Sequence, residues 1–156
     1  MTIHVSINLG YEFAVKASAQ TVFDLLSDVP ASASHFPRVH KLVDLGSGVY
    51  RWEMEDMGLG PVSLQTVYAS RYVADRSLGR VTWTPVDGEG NARVSGNWVV
   101  APKKASTLIT LRIVSDMILP LPSLMKGVVT PVVESEFEKL VEQYIDRLAL
   151  AFGGEA

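Results

Sequence analysis

Histidine is the first place to look for chemistry, and the chain has only three, His4, His35 and His40. Imidazole titrates near neutral pH, so His35, beside Phe36 and Pro37, is a candidate for proton transfer. A metal centre needs three or four convergent ligands, and no HxH, HxxxH or ExxH spacing occurs. Cysteine is absent, which removes disulfides, thiolate zinc sites and thiol nucleophiles together. No GxSxG stands in the chain, so no serine elbow is expected. Gly58-Leu59-Gly60 and Gly88-Glu89-Gly90 are sparse glycine signals that do not lead from a strand into a helix, so no phosphate cradle is expected. Neither a metal nor a cofactor is expected.

The other polar candidates depend on which way strands face. In VYRWEMED, alternation puts Tyr50, Trp52 and Met54 on one face and Arg51, Glu53 and Glu55 on the other. The acidic side is then the solvated one. Tyr68 and Tyr72 flank Ser70 and offer hydroxyls to a pocket. Arg71 and Arg112 are the remaining polar candidates on the strands. Arg112 has two placements. If Ile109, Leu111 and Ile113 point inward it faces solvent; if Thr110, Arg112 and Val114 point inward it is buried and needs a carboxylate or a ligand. Trp52, Trp83 and Trp98 all fall on inward phases. Large aromatics with one polar atom suit the wall of an apolar pocket, and they equally suit a filled core.

Elements must position these residues. Ile3, Val5, Ile7 and Leu9 alternate with polar neighbours, so residues 2–15 read as a strand, with Gly10 as a possible bulge. AQTVFDLLSDV follows as a short amphipathic helix capped by Ser18, and DVPASASHFP as a loop with room for one helical turn over 31–36. Six strand patterns come next: 39–45, 49–56, 62–73, 80–86, 92–101 and 106–117. Short turns separate them, among them Gly46-Ser47-Gly48, the punctuation at Gly58, Gly60 and Pro61, and Asp87 to Asn91. Short connections require antiparallel pairing.

The chain closes on a greasy stretch from Leu121 to Phe152. Its apolar residues Val129, Val133, Phe137, Leu140, Val141, Tyr144, Ile145, Leu148 and Phe152 step by three and four, which predicts one helix with one apolar stripe. Thr130-Pro131 either caps and starts that helix, or Pro131 kinks a helix that begins earlier; the second is the expectation. The front, LPLPSLMKGVV, either packs over the sheet, which is favoured, or forms a lip that docks on membrane or gates a cavity.

Composition bounds the function. With 156 residues the chain is expected to fold as a single domain, 1–156. A net charge of −3 argues against a nucleic-acid partner. No apolar run has the length of a membrane span, so stable insertion is not expected. The start, MTIHVSINLGYEF, lacks the pattern of a signal peptide, and a cytoplasmic location is the default expectation.

Three pieces in order, FAVKASAQTVFDLLSDV, HFPRVHKLVDLGSGVYRWEM and PLPSLMKGVVTPVVESEFEKLVEQYIDRLA, resemble the START-like superfamily with the helix-grip fold, also called Bet v 1-like or SRPBCC. The likeness covers nearly the whole chain as a pattern of elements. It implies an α+β fold: a curved antiparallel sheet of about seven strands gripping one long C-terminal helix, with one or two short helices between the first two strands. It also implies a cavity between sheet and helix. The expected lining is Phe36 from the loop, Tyr50, Trp52, Met54, Tyr68, Trp83, Trp98 and Leu111 from strands, and Met125, Val129, Val133 and Phe137 from the helix. The primary expectation is a protein that binds or carries a small hydrophobic ligand, such as a lipid, quinone or polyketide-like molecule. The alternatives are a polyketide cyclase/dehydratase using His35, Glu55, Tyr68, Arg71 or Arg112, and a protein-interaction module. Ligand identity and oligomeric state stay open, since fold does not fix function.

Overall fold

A computed structural model describes residues 2–59 and 62–156. Strand β1 (Ile3–Val15) leads into helices α1 (Ala19–Ser27) and α2 (Val29–Ala33). Strands β2 (Val39–Gly46), β3 (Val49–Met54), β4 (Met57–Leu59), β5 (Val62–Leu64), β6 (Val67–Asp75), β7 (Arg80–Gly90), β8 (Ala92–Pro102) and β9 (Thr107–Leu119) follow. A single 3-10 turn (Ser123–Met125) then opens helix α3 (Lys126–Ala151).

Seven strands form one sheet in the order β1-β9-β8-β7-β6-β3-β2, every neighbouring pair antiparallel. The α+β architecture read from the sequence is therefore the one found. Sheet and α3 share the core: Val5, Val81, Leu111 and Leu119 from strands meet Val129, Val133, Val141 and Leu148 from the helix. Burying this stripe is what holds a helix of marginal intrinsic preference. Ser18 caps α1, its hydroxyl accepting from the Thr21 amide, and Asp28 caps α2 through the Ala31 amide. At the far end the Lys16 and Ala17 amides donate to the Gly154 and Phe152 carbonyls, which ties the C-terminus to the end of β1.

The structure corrects several local expectations. Gly10 makes no bulge, because β1 pairs with β9 without a register shift from Ile3↔Leu119 to Val15↔Thr107. The helical turn expected over 31–36 is centred earlier, on Val29–Ala33. The strand read as 62–73 is two strands: β5 pairs with β4 in a separate two-stranded sheet, while β6 joins the main one. Asn91 explains the break, since its side chain accepts from the Val67 amide and donates to the Gln65 carbonyl in place of a ladder. The turn expected over 87–91 is likewise absorbed into β7, which runs to Gly90. Helix α3 starts before Pro131 and continues through it, so Pro131 is an interior residue and the alternative in which it starts the helix is overturned. Gly58, read as punctuation, lies in β4, while Gly60 and Pro61 fall outside the described residues.

Candidate functional site

The concave face carries a closed circuit of aromatic side chains. Alternation directs Trp52 (β3), Tyr68 and Tyr72 (β6), Trp83 (β7) and Trp98 (β8) toward α3, where Tyr144 meets them, and Phe36 fills the gap from the α2–β2 loop. Ring centroids run Tyr72–Trp83 5.8 Å, Trp83–Trp98 6.4 Å, Trp98–Tyr144 5.8 Å, Tyr144–Phe36 4.9 Å and Phe36–Trp52 5.7 Å. The Trp52 indole N–H closes the circuit by donating to the Tyr72 hydroxyl at 2.9 Å. Tyr68 lies stacked on Trp52, 5.8 Å away with ring planes 12° apart.

This circuit surrounds a void of about 50 Å³, which Leu26, Val29, Ser32, Leu111, Ile113 and Phe137 help to line. No charged side chain among the described residues lines it. A second void of about 40 Å³ lies beside it under α3, lined by Met54, Met57, Met117, Thr66, Val133 and Leu140, with Arg38, Glu55 and Glu136 at its edge. Phe36, Tyr68 and Phe137 line both and divide them. Phe36 also walls an open cleft of about 410 Å³ between α2 and the β2–β3 hairpin.

The phenols of the inner void are held in their neutral form. Burial is the main cause, pushing Tyr68, Tyr72 and Tyr144 well above the usual phenol range. Neighbouring phenols add to the effect at Tyr68, whereas the Trp52 N–H at Tyr72 and the Ser32 hydroxyl at Tyr144 act against it. Ser32 and Tyr144 share a short hydrogen bond. Tyr68 lines both voids, so its phenol stands at the divide between them. A site of this kind donates hydrogen bonds and offers no fixed charge.

Of the residues expected in a pocket, Phe36, Trp52, Met54, Tyr68, Trp83, Trp98, Leu111, Val133 and Phe137 line one or both voids. Met125 and Val129 pack on the core without lining either, and Tyr50 lines the open cleft, its ring 5.9 Å from Tyr72. Among the catalytic candidates, Tyr68 and Glu55 line the same void. His35 is half-buried and lines neither. Arg71 is exposed and donates to the Ser47 carbonyl at 3.3 Å. Arg112 faces solvent on the convex side, because Leu111 and Ile113 are the residues of β9 that enter the core; its inward placement is overturned. Pattern reasoning did not assign Ser32, Met57, Met117, Tyr144 or Arg38 to the pocket. Tyr144 carried the one available signal, its place in the apolar stripe of α3. Arg38 adopts a left-handed φ of 63°, beside Glu55 at 3.7 Å. The greasy front of α3 presents Leu121 and Val129 inward and Leu124 and Val128 to solvent. No helix among the described residues is long and apolar enough to cross a membrane.

Residues 6–153 match the model of the family described as polyketide cyclase / dehydrase and lipid transport. No curated protein matches the sequence. Among solved structures, the chain is similar to a START superfamily protein from Mycobacterium smegmatis, with 16% identity, 94% of this chain and 97% of that one covered, and a TM-score of 0.69. It is similar to an aromatase/cyclase from Streptomyces sp. R1128 at 18% identity, covering 97% and 92%, TM-score 0.58. Norcoclaurine synthase from Thalictrum flavum is similar at 19% identity, covering 95% and 87%, TM-score 0.59. Likenesses at these identities establish the helix-grip fold.

Proposed function

We propose that this chain, which belongs to the family of polyketide cyclase / dehydrase and lipid transport proteins, binds and carries a small hydrophobic molecule between its sheet and α3. The observation that carries this is the closed aromatic circuit around a void that no charged side chain lines. Such a wall favours apolar surface with a few hydrogen bonds and disfavours ions. Native mass spectrometry of the purified protein tests it. The expected result is a retained apolar mass that organic solvent strips off. A protein that retains nothing, and binds none of the hydrophobic probes named below, overturns it.

A second reading is favoured by one observation: Glu55 and Tyr68 line the same void. In a cyclase-type enzyme, a carboxylate there takes a proton from the carbon beside a carbonyl, and a phenol donates to the enolate oxygen that forms. Deuterium exchange into the α-position of 1-tetralone would report this. Exchange that stops in both Glu55→Gln and Tyr68→Phe supports the enzyme; exchange no faster than in buffer sinks it.

A further inference from the structure

We propose that the two voids are halves of one site, that the Phe137 ring is a plug standing in the ligand's place, and that the molecule displacing it is an uncharged ring with a hydrogen-bond acceptor and an apolar extension. This rests on the ligand-binding reading above.

Size comes first. Voids of about 50 and about 40 Å³ have room for water-sized groups only, whereas an apolar cavity that takes benzene measures roughly 150 Å³. A ring enters only if a side chain leaves. Three side chains divide the voids, and two of them are pinned. Phe36 is buried edge-on to Trp52 at 5.7 Å and against Tyr144 at 4.9 Å, and Tyr68 is buried and stacked on Trp52. Phe137 makes none of these ring contacts and is only partly buried. It sits one residue from Glu136, at the edge of the outer void. Turning it outward costs the least apolar burial of the three, and it vacates space the size of an aromatic ring on both sides of the divide.

The lining then states the ligand's chemistry. With no cation in the inner void, a carboxylate placed there would be buried and unpaired. The Tyr68 phenol at the divide offers an O–H to an acceptor, and the Tyr72 oxygen already receives the Trp52 N–H, leaving its own proton to donate. The outer void is walled by Met54, Met57 and Met117, whose unbranched thioether chains adapt to a flexible tail.

Isothermal titration calorimetry with octanophenone, octylbenzene and octanoate tests this on the whole chain, its Phe137→Ala and Phe137→Leu variants, and Tyr68→Phe. Removing the plug relieves the closed conformation, so both Phe137 variants should bind octanophenone about tenfold tighter than the wild type, although they unfold more easily. Tyr68→Phe should cut a roughly tenfold preference for octanophenone over octylbenzene, with the Tyr72 hydroxyl left as the second donor. Octanoate should stay at least about tenfold weaker than octanophenone throughout, because Arg38, the cation that lines the outer void among the described residues, is already paired with Glu55 at 3.7 Å. Phe137 variants that bind octanophenone no tighter than the wild type overturn the plug. Octanoate binding as well as octanophenone, or an unchanged preference in Tyr68→Phe, overturns the ligand class. If a retained mass is found but no probe binds to any variant, the plug and the ligand class fail and the carrier reading stands; if neither is found, the carrier reading itself fails.

Discussion

The Trp52 indole N–H donates to the Tyr72 hydroxyl across 2.9 Å, linking β3 to β6 on the concave face. Trp52 is 5% exposed, so its N–H has little access to water as an alternative. Tyr72→Phe leaves that donor buried and unpartnered at almost unchanged shape, and should destabilise the fold by about 1–3 kcal/mol. Urea unfolding followed by tryptophan fluorescence measures it. A loss under about 0.5 kcal/mol would mean that the bond contributes nothing net.

High pH should unfold the protein through its phenols. Burial pushes Tyr68, Tyr72 and Tyr144 above the ordinary value of 10, and burial together with Glu142 lifts Tyr11 to about 12. In the unfolded chain the same groups ionise near 10. Above that pH the native state therefore holds more protons than the unfolded state, and stability falls as pH rises; below it these groups contribute no slope. Phenolate absorbance should lag behind free tyrosine and appear together with loss of near-ultraviolet circular dichroism. All five tyrosines ionising near pH 10 in a chain that stays folded would contradict this.

Gly96 is a packing requirement. A Cβ there would lie 2.7 Å from the Trp83 ring and would also meet the Arg112 carbonyl on β9. Backbone on one side and a buried indole on the other leave nothing cheap to move. Gly96→Ala should cost about 1–3 kcal/mol or more by overpacking, and it should shift the emission of Trp83. A melting temperature within error of the wild type would refute it.

Pro131 works in the opposite direction. Inside α3 it supplies no N–H to the carbonyl one turn earlier, and its side chain is exposed. Pro131→Ala should stabilise the chain, by up to about 3 kcal/mol on the helix-interior scale. Thermal unfolding reads this directly. Destabilisation instead would mean that the interruption is needed for α3 to follow the sheet.

Local pattern carried far in this chain. Strand alternation has a period of two and helix burial one of 3.6, and both are visible without knowing any partner. That is why Trp52, Trp83 and Trp98 could be placed on inward faces, and why the stripe from Val129 to Phe152 announced α3. The same logic faltered where a strand is apolar on both phases. On β9, Val114 and Ile118 are partly exposed while Ser115 is buried, so the phase that sends Arg112 to solvent emerged only from pairing with β1 and β8.

What the sequence determined by itself is the antiparallel α+β layout, the long C-terminal helix and the aromatic character of the inward faces. By contrast, β4, the split of β5 from β6 and the pairing of β1 with β9 came from the tertiary structure. Tertiary structure alone decided which side chains share a space. Ser32 meets Tyr144 across 112 positions of chain, and Phe137, one apolar residue among many in its stripe, became the divider between two voids. Void shape follows from the volumes of side chains brought together from distant segments, and no periodicity within one segment encodes that sum.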